Sequence, residues 1–66
     1  MNDDRKALAK QHLGELEKLS AEAAELSLAA IKAGDLRVAA ALTRERRELA
    51  IVLNEARTFA MRLGAT

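Results

Sequence analysis

The stretch Ala30-Ile31-Lys32-Ala33-Gly34-Asp35-Leu36-Arg37-Val38-Ala39 decides how this chain is read. One apolar repeat ends at Gly34 and another begins after Asp35. Glycine accepts the left-handed backbone without steric cost, so Gly34 suits the end of a helix. An aspartate beside it suits the start of the next, because its carboxylate accepts hydrogen bonds from the free amides of a first turn. Outward from this dipeptide, residues recur at spacings of three and four on both sides. Before it come Ala9, His12, Leu16, Leu19, Ala23, Leu26, Ala30 and Ala33; after it come Ala39, Leu42, Arg46, Leu49, Leu53, Ala56, Ala60 and Leu63. That spacing gathers residues on one face of a helix. Folding the chain at Gly34 sets Leu26 against Leu42, Ala23 against Arg46, Leu19 against Leu49, Leu16 against Leu53 and His12 against Ala56. The sequence thus predicts an all-α antiparallel hairpin over 1–66: a helix over about 4–33, a turn at Gly34-Asp35, and a helix over about 36–63.

Composition supports long helices. Half the residues are hydrophobic and a third are charged, with no proline and one aromatic residue, Phe59. That is the profile of bundles and coiled coils. Without cysteine, the chain has no disulfide framework, thiolate metal site or cysteine nucleophile. The polar, acidic start Met1-Asn2-Asp3-Asp4 does not read as a signal peptide. With no apolar run of roughly 20 residues there is no expected membrane span. A cytoplasmic protein is expected. Acidic Asp3 or Asp4 suits the positive end of the first helix dipole, and Arg62 suits the negative end of the second. Gly14 is the one internal breaker, and reads as a tolerated surface glycine.

The second helix carries more apolar surface than one neighbour can cover. Val38, Val52 and Phe59 flank the ridge of Leu42, Leu49, Ala56 and Leu63 on one side; Ala39, Leu53 and Ala60 flank it on the other. Two helices alone also make a thin core, and a domain this small usually needs a staple. The expected solution is self-association, first of all a homodimeric four-helix bundle, with a larger ring of hairpins as the alternative. Its core and interface are expected from Leu16, Leu19, Leu26, Leu42, Leu49, Val52, Leu53, Phe59 and Leu63. Arg46 falls on the seam, and with Glu22, Glu25 and Glu45 it is expected to form a polar layer that fixes register, as buried polar residues do in coiled coils.

No catalytic motif is present. Glycine-rich phosphate loops, His-Glu-x-x-His and Gly-x-Ser-x-Gly are absent, and Ser20, Ser27, Thr43 and Thr58 have no histidine or lysine clearly placed to activate them. His12 precedes Glu15 by three positions, opposite to the Glu-x-x-His order of di-iron bundles. Neither a metal nor another cofactor is expected, and the chain reads as non-enzymatic.

Charge adds a second line of reasoning. The net charge of +1 does not argue for nucleic acid. Its distribution is uneven: residues 1–34 carry six acids and five bases, whereas residues 35–66 carry four acids and six bases, all arginine. Arg37, Arg44 and Arg47 share a helix face, with Lys32 near its turn end. A guanidinium suits phosphate, which makes these three the candidate phosphate-binding residues.

Two resemblances bear on this. The hairpin is similar in architecture to the Rop-type RNA-binding hairpin dimers of plasmids. The stretch Ala33-Gly34-Asp35-Leu36-Arg37-Val38-Ala39-Ala40-Ala41-Leu42-Thr43-Arg44-Glu45 resembles the helical-hairpin oligomerisation segment of phage small-terminase-like proteins, where a Gly-Asp-Leu turn precedes an oligomerising helix. The helix-turn-helix that precedes the hairpin in those proteins has no counterpart in this sequence. These resemblances imply a phage- or plasmid-related oligomer. The leading expectation is a self-associating hairpin that binds another protein as an adaptor, inhibitor or oligomerisation module. The alternative is a nucleic-acid-binding oligomer that contacts phosphates through the arginines of its second helix.

Overall fold

A computed structural model describes the backbone of residues 2–64 and the side chains of residues 4–64. Two helices make up the fold: α1 (Asn2–Ala33) and α2 (Leu36–Arg62), with no strand among the described residues. α1 begins ahead of Asp4, and the side chain of Asp3 lies outside the described residues. At 1.5 Å per residue the helices are about 48 and 40 Å long. The molecule measures 49 × 15 × 13 Å, so its length is that of one helix and the two lie side by side.

The turn is built from two residues with three functions. Gly34 adopts φ +76°. Its N–H donates to the Ile31 carbonyl at 3.1 Å, and the Asp35 N–H donates to the Ala30 carbonyl at 2.9 Å. This pair of bonds is the Schellman motif, which satisfies the last carbonyls of α1. Asp35 then caps α2: its Oδ1 accepts from the Val38 N–H at 3.2 Å, and its own carbonyl accepts from the Ala39 N–H at 3.0 Å. One residue thus closes α1 and opens α2.

The seam between the helices combines alanine and serine with leucine. In α1 it consists of Ala9, Leu13, Leu16, Ser20, Ala23, Ser27 and Ala30, at alternating spacings of four and three; all are buried except half-buried Ser20. In α2 it consists of Ala39 and Ala60, both buried, with half-buried Leu42, Leu49, Leu53, Ala56 and Leu63. Ala60 is 0% exposed, packed with Ala9 and Leu13 and flanked by Leu53, Ala56 and Leu63. No large side chain is fully buried among the described residues.

This corrects the sequence reading of α1. Four positions expected on the seam, His12, Leu19, Leu26 and Ala33, are exposed, and the C-terminal neighbours of the first three, Leu13, Ser20 and Ser27, take their place. The two stripes share Ala9, Leu16, Ala23 and Ala30 and differ by one residue, about 100° of rotation, at every other position. At two levels, serine stands on the seam where the other stripe has leucine.

Two substitutions test the turn. Asp35→Ala should lower stability by about 1 kcal/mol, the usual loss for an N-cap. Gly34→Ala forces an L side chain to a positive φ and should cost about 1–2 kcal/mol. Urea unfolding followed by circular dichroism measures both; parental midpoints for both would mean that the turn does not anchor the fold.

Candidate functional site

The leucines that the seam rejects collect on one face of the hairpin. Leu19 and Leu26 of α1 lie beside Leu42, Leu49 and Val52 of α2, with Ala23 between them, around a groove of about 420 Å³. Leu8 and Phe59 lie further towards the open end, around a second groove of about 300 Å³ with Ala9 and Ala56. The floor is the half-buried edge of the seam; the walls are exposed. Leu8, Leu19, Leu26, Val52 and Phe59 are between 43% and 65% exposed. At roughly 150–200 Å² per large side chain, these five present on the order of 500 Å² of apolar surface, at the upper end for the largest patch on a monomer. Leu28, Ile31, Ile51 and Met61 are also exposed but line neither groove.

Polar residues divide this face into two halves. Glu22, Glu45 and Glu48 line the groove nearer the turn. Arg5 and His12 line the groove nearer the open end. Glu15 and Lys18 stand between them on the α1 rim, beside Leu19 and Glu22. No group of three or more His, Asp or Glu side chains among the described residues is arranged to hold a metal ion.

Of the residues read as core or interface, Leu16 is buried, and Leu42, Leu49, Leu53 and Leu63 are half-buried. Leu19, Leu26, Val52 and Phe59 are exposed on the groove face. Arg46 keeps its seam spacing yet is exposed and lines neither groove. Its long stem lets the guanidinium reach water from a seam position. The expected polar layer is therefore divided in the hairpin: Glu22 and Glu45 face the groove, whereas Arg46 and Glu25 do not line it. Arg37, Arg44 and Arg47 are all exposed.

The hydroxyl groups have structural positions. Thr43 Oγ1 donates to the Ala39 carbonyl at 2.8 Å and Thr58 Oγ1 to the Asn54 carbonyl at 3.0 Å, both bonds within their own helix. Ser27, 2% exposed, is the buried polar residue of the seam. Ser20 and Ser27 were missed as seam residues. Their signal was the seven-residue interval between two small side chains, each three residues before an alanine. Among the described residues, neither helix is long and apolar enough to cross a membrane.

Compared with protein-family models, with curated proteins and with solved structures, the chain matches none.

The seam and the outer face should answer oppositely to added methyl groups. Ala60→Leu overpacks a fully enclosed site and should destabilise by about 1–3 kcal/mol. A Cβ at Gly14 would meet nothing within 4 Å, so Gly14→Ala should stabilise by about 1 kcal/mol through helix propensity. Thermal melts of the two variants give the comparison. A loss of stability in Gly14→Ala would place another backbone against that face.

Proposed function

We propose that this chain is a non-enzymatic interaction module that acts as a self-associated hairpin, with the groove face buried in a homodimeric four-helix bundle. One observation carries the reading: the hairpin uses its small residues for its own seam and leaves Leu8, Leu19, Leu26, Val52 and Phe59 together on one outer face. A seam in which alanine and serine hold most of the α1 positions buries little apolar area per layer. At about 25 cal/mol per Å², the open face holds a further contribution on the order of 10 kcal/mol per copy, released only when something covers it.

A second copy suits the size of the face. Its five large side chains alone amount to roughly a tenth of the 5299 Å² molecular surface, the share that a standard interface takes from a small protein. The bundle leaves the outward sides of the helices free, including Arg37, Arg44 and Arg47. Those sides are the surfaces through which the dimer engages another protein as an adaptor, inhibitor or oligomerisation module. Phosphate contact through the three arginines is the competing use of the same surface, and it has a distinct signature. Such binding weakens steeply as salt rises, whereas an apolar protein contact does not.

Sedimentation equilibrium at micromolar concentration tests the assembly. The expected mass is twice the 7.2 kDa of the chain. Leu19→Ser combined with Leu26→Ser should shift the equilibrium to monomer, since both side chains lie on the groove and off the seam. A folded parental monomer at these concentrations would overturn the reading. Fluorescence anisotropy with duplex RNA and duplex DNA at two salt concentrations separates the outer-surface uses. Salt-sensitive binding lost in Arg44→Ala combined with Arg47→Ala would favour phosphate contact over a protein partner.

A further inference from the structure

We infer that the occupant of the groove face is a second copy running in the opposite direction, so that Phe59 of each copy enters the turn-side groove of the other. This rests on the self-association proposed above and adds its orientation.

The argument begins from the layout along the hairpin. Ala60 packs at the level of Ala9, which places neighbouring Phe59 near the open end. The turn-side groove is centred between Leu19 and Leu26. These two levels are about 13 residues apart along α1, or roughly 20 Å. Phe59 is the single aromatic residue of the chain and is 56% exposed. It cannot reach the turn-side groove of its own hairpin. A two-fold axis across the hairpin, near the level of Leu16 and Val52, brings the Phe59 of each copy over Ala23, between the Leu19 and Leu26 of the other. The same axis places Val52 close to its own symmetry mate. A C2 contact requires one surface that complements itself, and this face has the projection at one end and the recess at the other.

Charge selects the same direction. The turn-side groove is rimmed by the carboxylates of Glu22, Glu45 and Glu48, and the open-end groove by Arg5 and His12. In the antiparallel arrangement, Arg5 and His12 of one copy lie towards the carboxylate rim of the other. Lys18, beside Glu15 and Glu22, stands near the axis on the rim, where it offsets Glu15. Copies running in the same direction would bring three carboxylates against three and Phe59 against Phe59. Like charges juxtaposed across an interface disfavour that pairing.

A spin label reads the orientation directly. The chain has no cysteine, and Leu36 at the start of α2 is 73% exposed and outside both grooves, so Leu36→Cys labels the turn without touching the interface. Antiparallel copies place the two turns at opposite ends of the bundle, with an expected separation of about 50 Å by double electron–electron resonance. A separation near 20 Å would mean parallel copies and would overturn the orientation while leaving the dimer intact. Absence of dipolar modulation, with a monomeric mass in the ultracentrifuge, would instead overturn the self-association on which it rests. As a second measurement, Phe59→Ala should raise the dimer dissociation constant about 100-fold or more, because each dimer loses two aromatic anchors. An unchanged constant would remove Phe59 from the interface and overturn the proposed docking.

Discussion

The choice of which α1 stripe meets α2, an alanine- and serine-rich one, is the constraint on which the rest of this structure depends. Ala9, Ala23, Ser27 and Ala30 of α1, with Ala39 and Ala60 of α2, leave little side chain between the backbones. Leu13 and Leu16 are the large residues buried in that seam. Dispersion contacts fall off steeply with distance, so small residues packed closely replace part of the contact that bulky ones would give at wider spacing. A seam drawn along these positions leaves the rest of the apolar sector outside it. Leu19, Leu26, Val52 and Phe59 lie exposed to one side. The groove face follows from the choice of seam.

The turn and the open face place complementary demands on the sequence. Gly34 and Asp35 fix where the chain reverses, and with that they fix the level at which each α1 residue meets α2. A one-residue change in this register would rotate the leucines relative to Leu42, Leu49 and Val52 and break up the groove they line. The cap hydrogen bond from Val38 to Asp35 and the two bonds that close α1 are thus tied to a face more than 10 Å away along the helices.

The two helices and the turn chemistry were legible in the sequence because they depend on local signals: a glycine, a capping aspartate and a three-four spacing without proline. The face that α1 presents to α2 was not. Its apolar sector contains two overlapping stripes that share four residues, and hydrophobicity alone favours the one with Leu19 and Leu26. What decides between them is steric, the depth of the side chain at the centre of the contact, and that depends on both helices together. Arg46 illustrates a related difficulty. Spacing assigns its Cα to the seam, but the length of its side chain lets the charge leave. Leu19, Leu26, Val52 and Phe59 were expected at an interface and Leu8 was not singled out; the gathering of these five on one face, with carboxylates at one half and Arg5 and His12 at the other, required the rotation of α1 to be known.

The two-residue turn also sets an order of events. Contacts nearest the turn, such as those between Ala30 and Ala39, close short loops, whereas the pairing of Ala9 with Ala60 closes almost the whole chain. Loop closure costs more as the loop lengthens, though slowly, and local topology of this kind folds fast. Loop entropy therefore favours closing the layers next to Gly34 first, while the most enclosed layer, Ala9, Leu13 and Ala60, lies at the open end and closes the longest loop. Anything that recognises the level of Phe59 acts as a clasp on the free end, and holds closed every layer between itself and the turn.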